Sequence, residues 1–132
     1  MGLDMYAYAI DEKPAAEVDF KAKPSRAVHY WRKHPDLHGW MRNLYYAKGG
    51  TDEQFNCVNV MLTREDIDAL EAAIKAGELP PTSGFFFGAS DSSEQEDDLA
   101  FIAKAREVFG VGLFLFYTSW WWNSALARSL KL

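Results

Sequence analysis

The densest chemistry in the 132-residue chain lies between Trp31 and Trp40, where Arg32, His34, Asp36 and His38 stand between two indoles. If Pro35 opens a helix, His34 sits at its cap and His38 about one turn along, so both imidazoles are expected on a common side. Two histidines at that spacing can chelate a transition metal, but a third ligand is required, and only His29 or an acid near Asp91 could supply it. The run from His34 to His38 reads His-Pro-Asp-Leu-His, without the Glu of a metalloprotease helix. The expectation is therefore no metal, with histidines that pack and hydrogen-bond at a helix start. Arg32 and Lys33 beside that helix N-terminus could instead receive a phosphate or carboxylate, with Trp31 and Trp40 as a stacking wall. A simpler structural role is an Arg32 link to the acids between Asp91 and Asp98.

Other arrangements are weaker. His34 or His38 as general base with Arg32 as charge stabiliser would make a small hydrolase or transferase, yet no nucleophile or orienting group can be assigned, so no catalytic residue is expected. Ser90 to Asp98 fails the calcium-loop register at Ser92, Ser93 and Gln95. Cys57, the only cysteine, is expected inside a strand as a buried, inert thiol. Lys48-Gly49-Gly50-Thr51 has the wrong residue order for a phosphate loop. The triplets Phe85–Phe87 and Trp120–Trp122 cannot each face a single core, because side chains alternate along a strand. Some of those rings must be covered from elsewhere or offered to a partner or a second copy of the chain.

The elements that must position these groups follow from periodicity. Leu3 to Ile10 reads as a first strand, followed by a loop from Asp11 to Pro24. Ser25 is placed to cap a short helix through Lys33. The next helix, from Pro35, is marked by Leu37, Trp40, Met41, Leu44 and Tyr45 on one stripe. Asn56 to Leu62 alternates as a half-buried strand, and Thr63 caps a helix striped by Ile67, Leu70 and Ile74 and ended by Gly77. Gly84 to Gly88 is a short aromatic strand or rigid loop. Ser93 with Glu96 forms a capping box for a helix to Phe109 that Gly110 closes, and Val111 to Trp120 is apolar enough for a central strand covered on both faces. The expected architecture is α+β: a three- to four-stranded antiparallel or mixed sheet with three helices packed mainly on one face. Residues 1–122 would form the single domain and residues 123–132 a tail.

Composition narrows the class. At 48% hydrophobic and 25% charged residues the chain is globular, and 15% aromatics, five of them Trp, call for a ring-rich core or a stacking surface. A formal charge of −5 disfavours general nucleic-acid binding. The charge is uneven: Lys21, Lys23, Arg26, Arg32, Lys33, Arg42 and Lys48 face only Asp36 within residues 21–48, whereas residues 52–98 hold twelve acids against Arg64 and Lys75. The starting residues Met-Gly-Leu-Asp-Met-Tyr show no basic flank or apolar leader, and no apolar run approaches membrane-spanning length. The expected compartment is the cytoplasm.

Met1-Gly-Leu-Asp-Met-Tyr6, Tyr30-Trp-Arg-Lys-His-Pro-Asp-Leu-His-Gly-Trp40, Ser83-Gly-Phe-Phe-Phe-Gly88, Ser90-Asp-Ser-Ser-Glu-Gln-Glu-Asp-Asp-Leu99 and Tyr117-Thr-Ser-Trp120 form an ordered set. It resembles a family of small bacterial and phage proteins of undefined function, often labelled phosphoglycerate kinase, and the resemblance spans essentially the whole chain. Ser92 stands where that family usually has Gly. The kinase label is physically excluded, since 132 residues cannot build two lobes that close around two substrates. The leading expectation is a non-enzymatic binding protein, without cofactor, that recognises a small anionic ligand or a protein partner. Its site would combine Trp31, Arg32, His34, His38, Trp40, Asp91 and Trp120. The phage occurrence implies an alternative, an accessory protein that inhibits a host defence protein.

Overall fold

Alternation along Leu3–Ile10, with Leu3, Met5, Ala7 and Ala9 buried and Asp4, Tyr6 and Tyr8 half-buried between them, makes this segment β1, a strand with one face on the core. The structure is a computed structural model that describes residues 3–23, 26–32, 34–82 and 94–121. The order continues β2 (Arg26–Arg32), α1 (Pro35–Ala47), β3 (Val60–Leu62), α2 (Arg64–Ala76), α3 (Gln95–Gly110) and β4 (Phe114–Trp121). The four strands form one sheet in the order β2-β1-β4-β3, with every pair antiparallel. The α+β expectation of up to four strands and three helices therefore holds.

The main core lies between one sheet face and the helices. Leu3, Met5, Trp31, Leu115, Tyr117 and Trp121 meet Leu37, Met41 and Tyr45 of α1, Ile67 and Leu70 of α2, and Phe101, Ile102 and Ala105 of α3. Each fully buried large apolar side chain contributes about 1.5–3 kcal/mol. Among the described residues the reverse face carries a small second cluster at one end, where Phe20 of the 11–23 loop covers Ile10, Met61 and Phe116. β4 is central, as expected, but the cover that the described residues give its reverse face thins along the strand: Phe116 is buried, Thr118 is half-buried and Trp120 is exposed.

Four local expectations are corrected. Residues 26–32 are strand, not helix: Val28, His29, Tyr30 and Trp31 are β-branched or aromatic, and His29 and Trp31 turn inward while Tyr30 and Arg32 turn out. The strand expected over Asn56–Leu62 contracts to Val60–Leu62, because Phe55 and Cys57 adopt left-handed φ of 48° and 62°. The Asn56 amide replaces the missing ladder, donating to the Trp121 carbonyl at 2.7 Å and accepting from the Trp121 N–H at 3.0 Å. Cys57 is accordingly exposed, not buried in a strand. Gly110 is still helical, and Gly112 at φ 82° makes the left-handed turn into β4. The Gly84–Gly88 segment, the Ser93 cap, Trp122 and the tail lie outside the described residues.

Capping agrees with sequence at α2, where Thr63 and Asp66 complete a reciprocal box and Gly77 closes the helix at φ 67°. The 48–52 turn is held by Tyr45, whose hydroxyl donates to the Asp19 carboxylate at 2.8 Å and accepts from the N–H groups of Asp52 at 2.9 Å and Thr51 at 3.2 Å. Tyr45→Phe is expected to lower stability by about 1–3 kcal/mol in urea unfolding, since it strips partners from several polar groups at once. A loss below a few tenths of a kcal/mol would show that solvent replaces the hydroxyl.

Candidate functional site

The β2–α1 junction places His34 at the N-cap of α1, ahead of Pro35, where the chain turns from strand into helix. Its Nε2 lies 2.7 Å from Asp98 Oδ2 and its Nδ1 2.8 Å from Glu94 Oε2. The other Asp98 oxygen accepts from Trp31 Nε1 at 3.2 Å, and Asp98 is only 2% exposed. Burial opposes a charge on His34, but the Asp98 hydrogen bond and the charges of Asp98, Glu94 and Asp36 outweigh it and raise the pKa above the ordinary histidine value. The acidic first turn of α3 is thus the clamp for an imidazolium. In the same turn, Asp97 Oδ2 lies 3.0 Å from His29 Nε2, and Lys104 Nζ donates to His29 Nδ1 at 3.1 Å.

His38 does not share that side. Its Nδ1 is 2.7 Å from the Tyr117 hydroxyl on β4, with the Phe55 ring 4.9 Å away centroid to centroid. Burial, aided by the Arg42 charge, lowers its pKa to about 3, so the ring is neutral. Burial also holds the Tyr117 phenol well above its ordinary pKa. A neutral imidazole protonated on Nε2 lets the phenol donate to Nδ1, and both polar groups are satisfied inside the core.

This geometry does not favour acid–base catalysis. Both nitrogens of His34 are engaged by carboxylates, and the other two histidines are buried with partners of their own. The cleft beside His34, about 470 Å³, is also lined by Asp36, Glu94 and Asp98 with Lys75, a poor match for an anion. Among the described residues no group of three or more His, Cys, Asp or Glu side chains is placed to hold a metal.

The expected site residues separate instead onto two faces. Trp31 and His34 meet through Asp98 on the helix side, His38 lies in the core, and Trp40 is half-buried on α1 against it. Arg32 and Trp120 project from the reverse face, where strand pairing puts Asp4 between them in the row Arg32–Asp4–Trp120. At an interstrand spacing of about 4.8 Å their backbones are roughly 10 Å apart. The next row is Tyr30–Tyr6–Thr118. Asp91 lies outside the described residues.

The reverse face is a ring lattice. Tyr6 stacks on Tyr8 at 5.7 Å with planes 9° apart and touches Tyr30 at 5.2 Å, and the series continues through Phe116 to Phe20. Tyr30 is 51% and Trp120 42% exposed. The Tyr30 hydroxyl donates to Asp4 at 2.6 Å, and that bond, with some desolvation, raises the phenol pKa. Exposed Lys21, Lys23, Arg26 and Arg32 lie along the 21–32 segment that leads into this face and forms its edge. Four clefts among the described residues, of about 670, 470, 490 and 240 Å³, are lined by other residues than Tyr6, Tyr30, Arg32 and Trp120. Sequence reasoning missed Tyr6 and Tyr30 here, and Glu94, Asp97 and Asp98 as histidine partners. The tyrosines carried a signal, period-two alternation with polar or aromatic residues on the outward phase. The chain matches no protein-family model, no curated protein and no solved structure.

Proposed function

We propose that the protein acts without catalysis, by binding another protein through the end of its sheet where Tyr30 and Trp120 are exposed. One observation carries this reading: Tyr30, Arg32 and Trp120 are exposed together on a face that no helix among the described residues covers. Tyr, Trp and Arg are the residue types that dominate interface energetics, because they bury much area for little lost rotamer freedom and can still hydrogen-bond at their tips. A small ligand would require a concave site. The lattice of rings offers a broad platform, which suits a protein surface.

The partner is an apolar patch edged by carboxylates. Arg32 supplies the forked donor for such an edge, and Lys21, Lys23 and Arg26, farther along the 21–32 segment, add a basic rim at longer range. A two-fold pairing of the face with its own copy would bring that basic rim against itself, which favours a heterologous partner. Bound to a host protein, a chain this small would act by occluding a surface, in keeping with the inhibitory role implied by the resemblance to phage proteins.

The test is affinity capture from a lysate of the source cells or their host, with wild type, Arg32→Glu and Trp120→Ala side by side. The expected result is a stoichiometric protein partner whose affinity falls about thirtyfold or more in each variant, the consequence of losing about 2 kcal/mol at a hot spot. A partner held equally by all three proteins would refute the assignment. A dimer in sedimentation that Trp120→Ala dissolves would replace the heterologous partner with a second copy.

A further inference from the structure

One cleft among the described residues lies where the Lys13–Glu17 segment, the end of β3 and the turn from α3 into β4 converge around about 670 Å³. Its walls are apolar, with Pro14, Phe109, Leu113 and Phe114 half-buried along it. Two cations stand on its lining, Lys13 and Arg64, and neither forms an ion pair among the described residues. Arg64 is seated over the Phe109 ring, its guanidinium carbon 5.3 Å from the centroid, so its position is fixed from below. The one acid on the lining, Glu17, has a cation of its own: its carboxylate is 3.8 Å from Lys48 Nζ.

We infer that this cleft is a binding site for a small amphipathic carboxylate, whose hydrocarbon body lies between Pro14, Leu113 and Phe114 and whose head group meets Arg64 and Lys13. The volume falls within the usual range for ligand pockets, and the pairing of apolar walls with a few convergent charges is their usual composition. The sign follows from charge: an amine would meet two cations, and an alcohol would leave both unpaired. The recognition element is the pair of side chains, not the start of α2, where the Asp66 N–H is already engaged by the Thr63 hydroxyl. The site is independent of the protein-binding face, and either can fail without the other.

Titration with decanoate, followed by amide chemical shifts and calorimetry, tests the assignment, with decanol and decylamine as neutral and cationic controls. Saturable shifts are expected at Leu113, Phe114 and Arg64, with decanoate binding roughly tenfold tighter than decanol. The double variant Lys13→Gln/Arg64→Gln should remove that preference while its circular dichroism stays that of wild type. No saturable shift with decanoate would overturn the proposal. So would shifts confined to residues outside the cleft, or equal affinity for decanoate and decanol.

Discussion

Asp98→Ala is expected to destabilise the protein by about 3–5 kcal/mol, the range for removing one member of a buried charged pair. Asp98 links three elements: it bonds His34 at the start of α1 and Trp31 in β2 while standing in the first turn of α3. Its removal leaves the Trp31 N–H buried without its acceptor and deprives His34 of the closer of two carboxylates. Since small domains are stable by only about 5–15 kcal/mol, a measurable unfolded fraction is expected near physiological temperature. Urea unfolding measures this directly. Asp98→Asn should lose less, because it keeps an oxygen for Trp31 while removing the charge opposite the imidazolium. Losses below about 1 kcal/mol for Asp98→Ala would mean that Glu94 alone suffices to hold the junction.

The second large effect is on pH. His38 titrates near 6.5 when unfolded and near 3 when folded, so below pH 6.5 the unfolded chain binds a proton that the folded chain refuses. Stability should therefore fall as pH drops from 6.5 toward 3, by about 1.4 kcal/mol per unit and about 5 kcal/mol over the full interval from this group alone. His34 has the opposite sign. Its folded pKa is raised, so its contribution is complete below pH 6.5 and is lost as pH rises through the folded value. Together they place the stability maximum near or just above pH 6.5. Glu71, held down to about 2 chiefly by its hydrogen bond with Arg106, adds to the acid limb below its ordinary range. In His38→Gln the acid limb between pH 6.5 and 4 should flatten by about one proton, whatever the change in stability at neutral pH. Parallel curves for wild type and variant would show that His38 is not the buried neutral group described above.

Much of the fold was legible because its periodic signals are local. The inward residues of β1, the stripe on α1 and the box on α2 each lie within one element. β2 was not legible as a strand. A bulge between Ala7 and Tyr8 interrupts its pairing with β1, and Arg26 and Arg32, with prolines on either side of the segment, disguise the alternation. That error propagated to the site. Residues 31–40 look like one cluster along the chain, but a strand sends neighbours to opposite faces, so Trp31 enters the core while Arg32 leaves it. The partners of His34 and His38 are 64 and 79 residues away in sequence. Exposure of Tyr30 depends on the helices of the described residues packing on the other face, which no local pattern encodes.

The central claim is that the Tyr30, Arg32 and Trp120 face meets a protein partner, and site-specific photo-crosslinking addresses it most directly. A benzophenone amino acid would replace Tyr30 in one protein and Val111, 67% exposed at the C-cap of α3, in another. With the captured partner present, a heavy crosslinked species is predicted from position 30 and none from position 111. Crosslinking from position 111 with none from position 30 would contradict the assignment of this face.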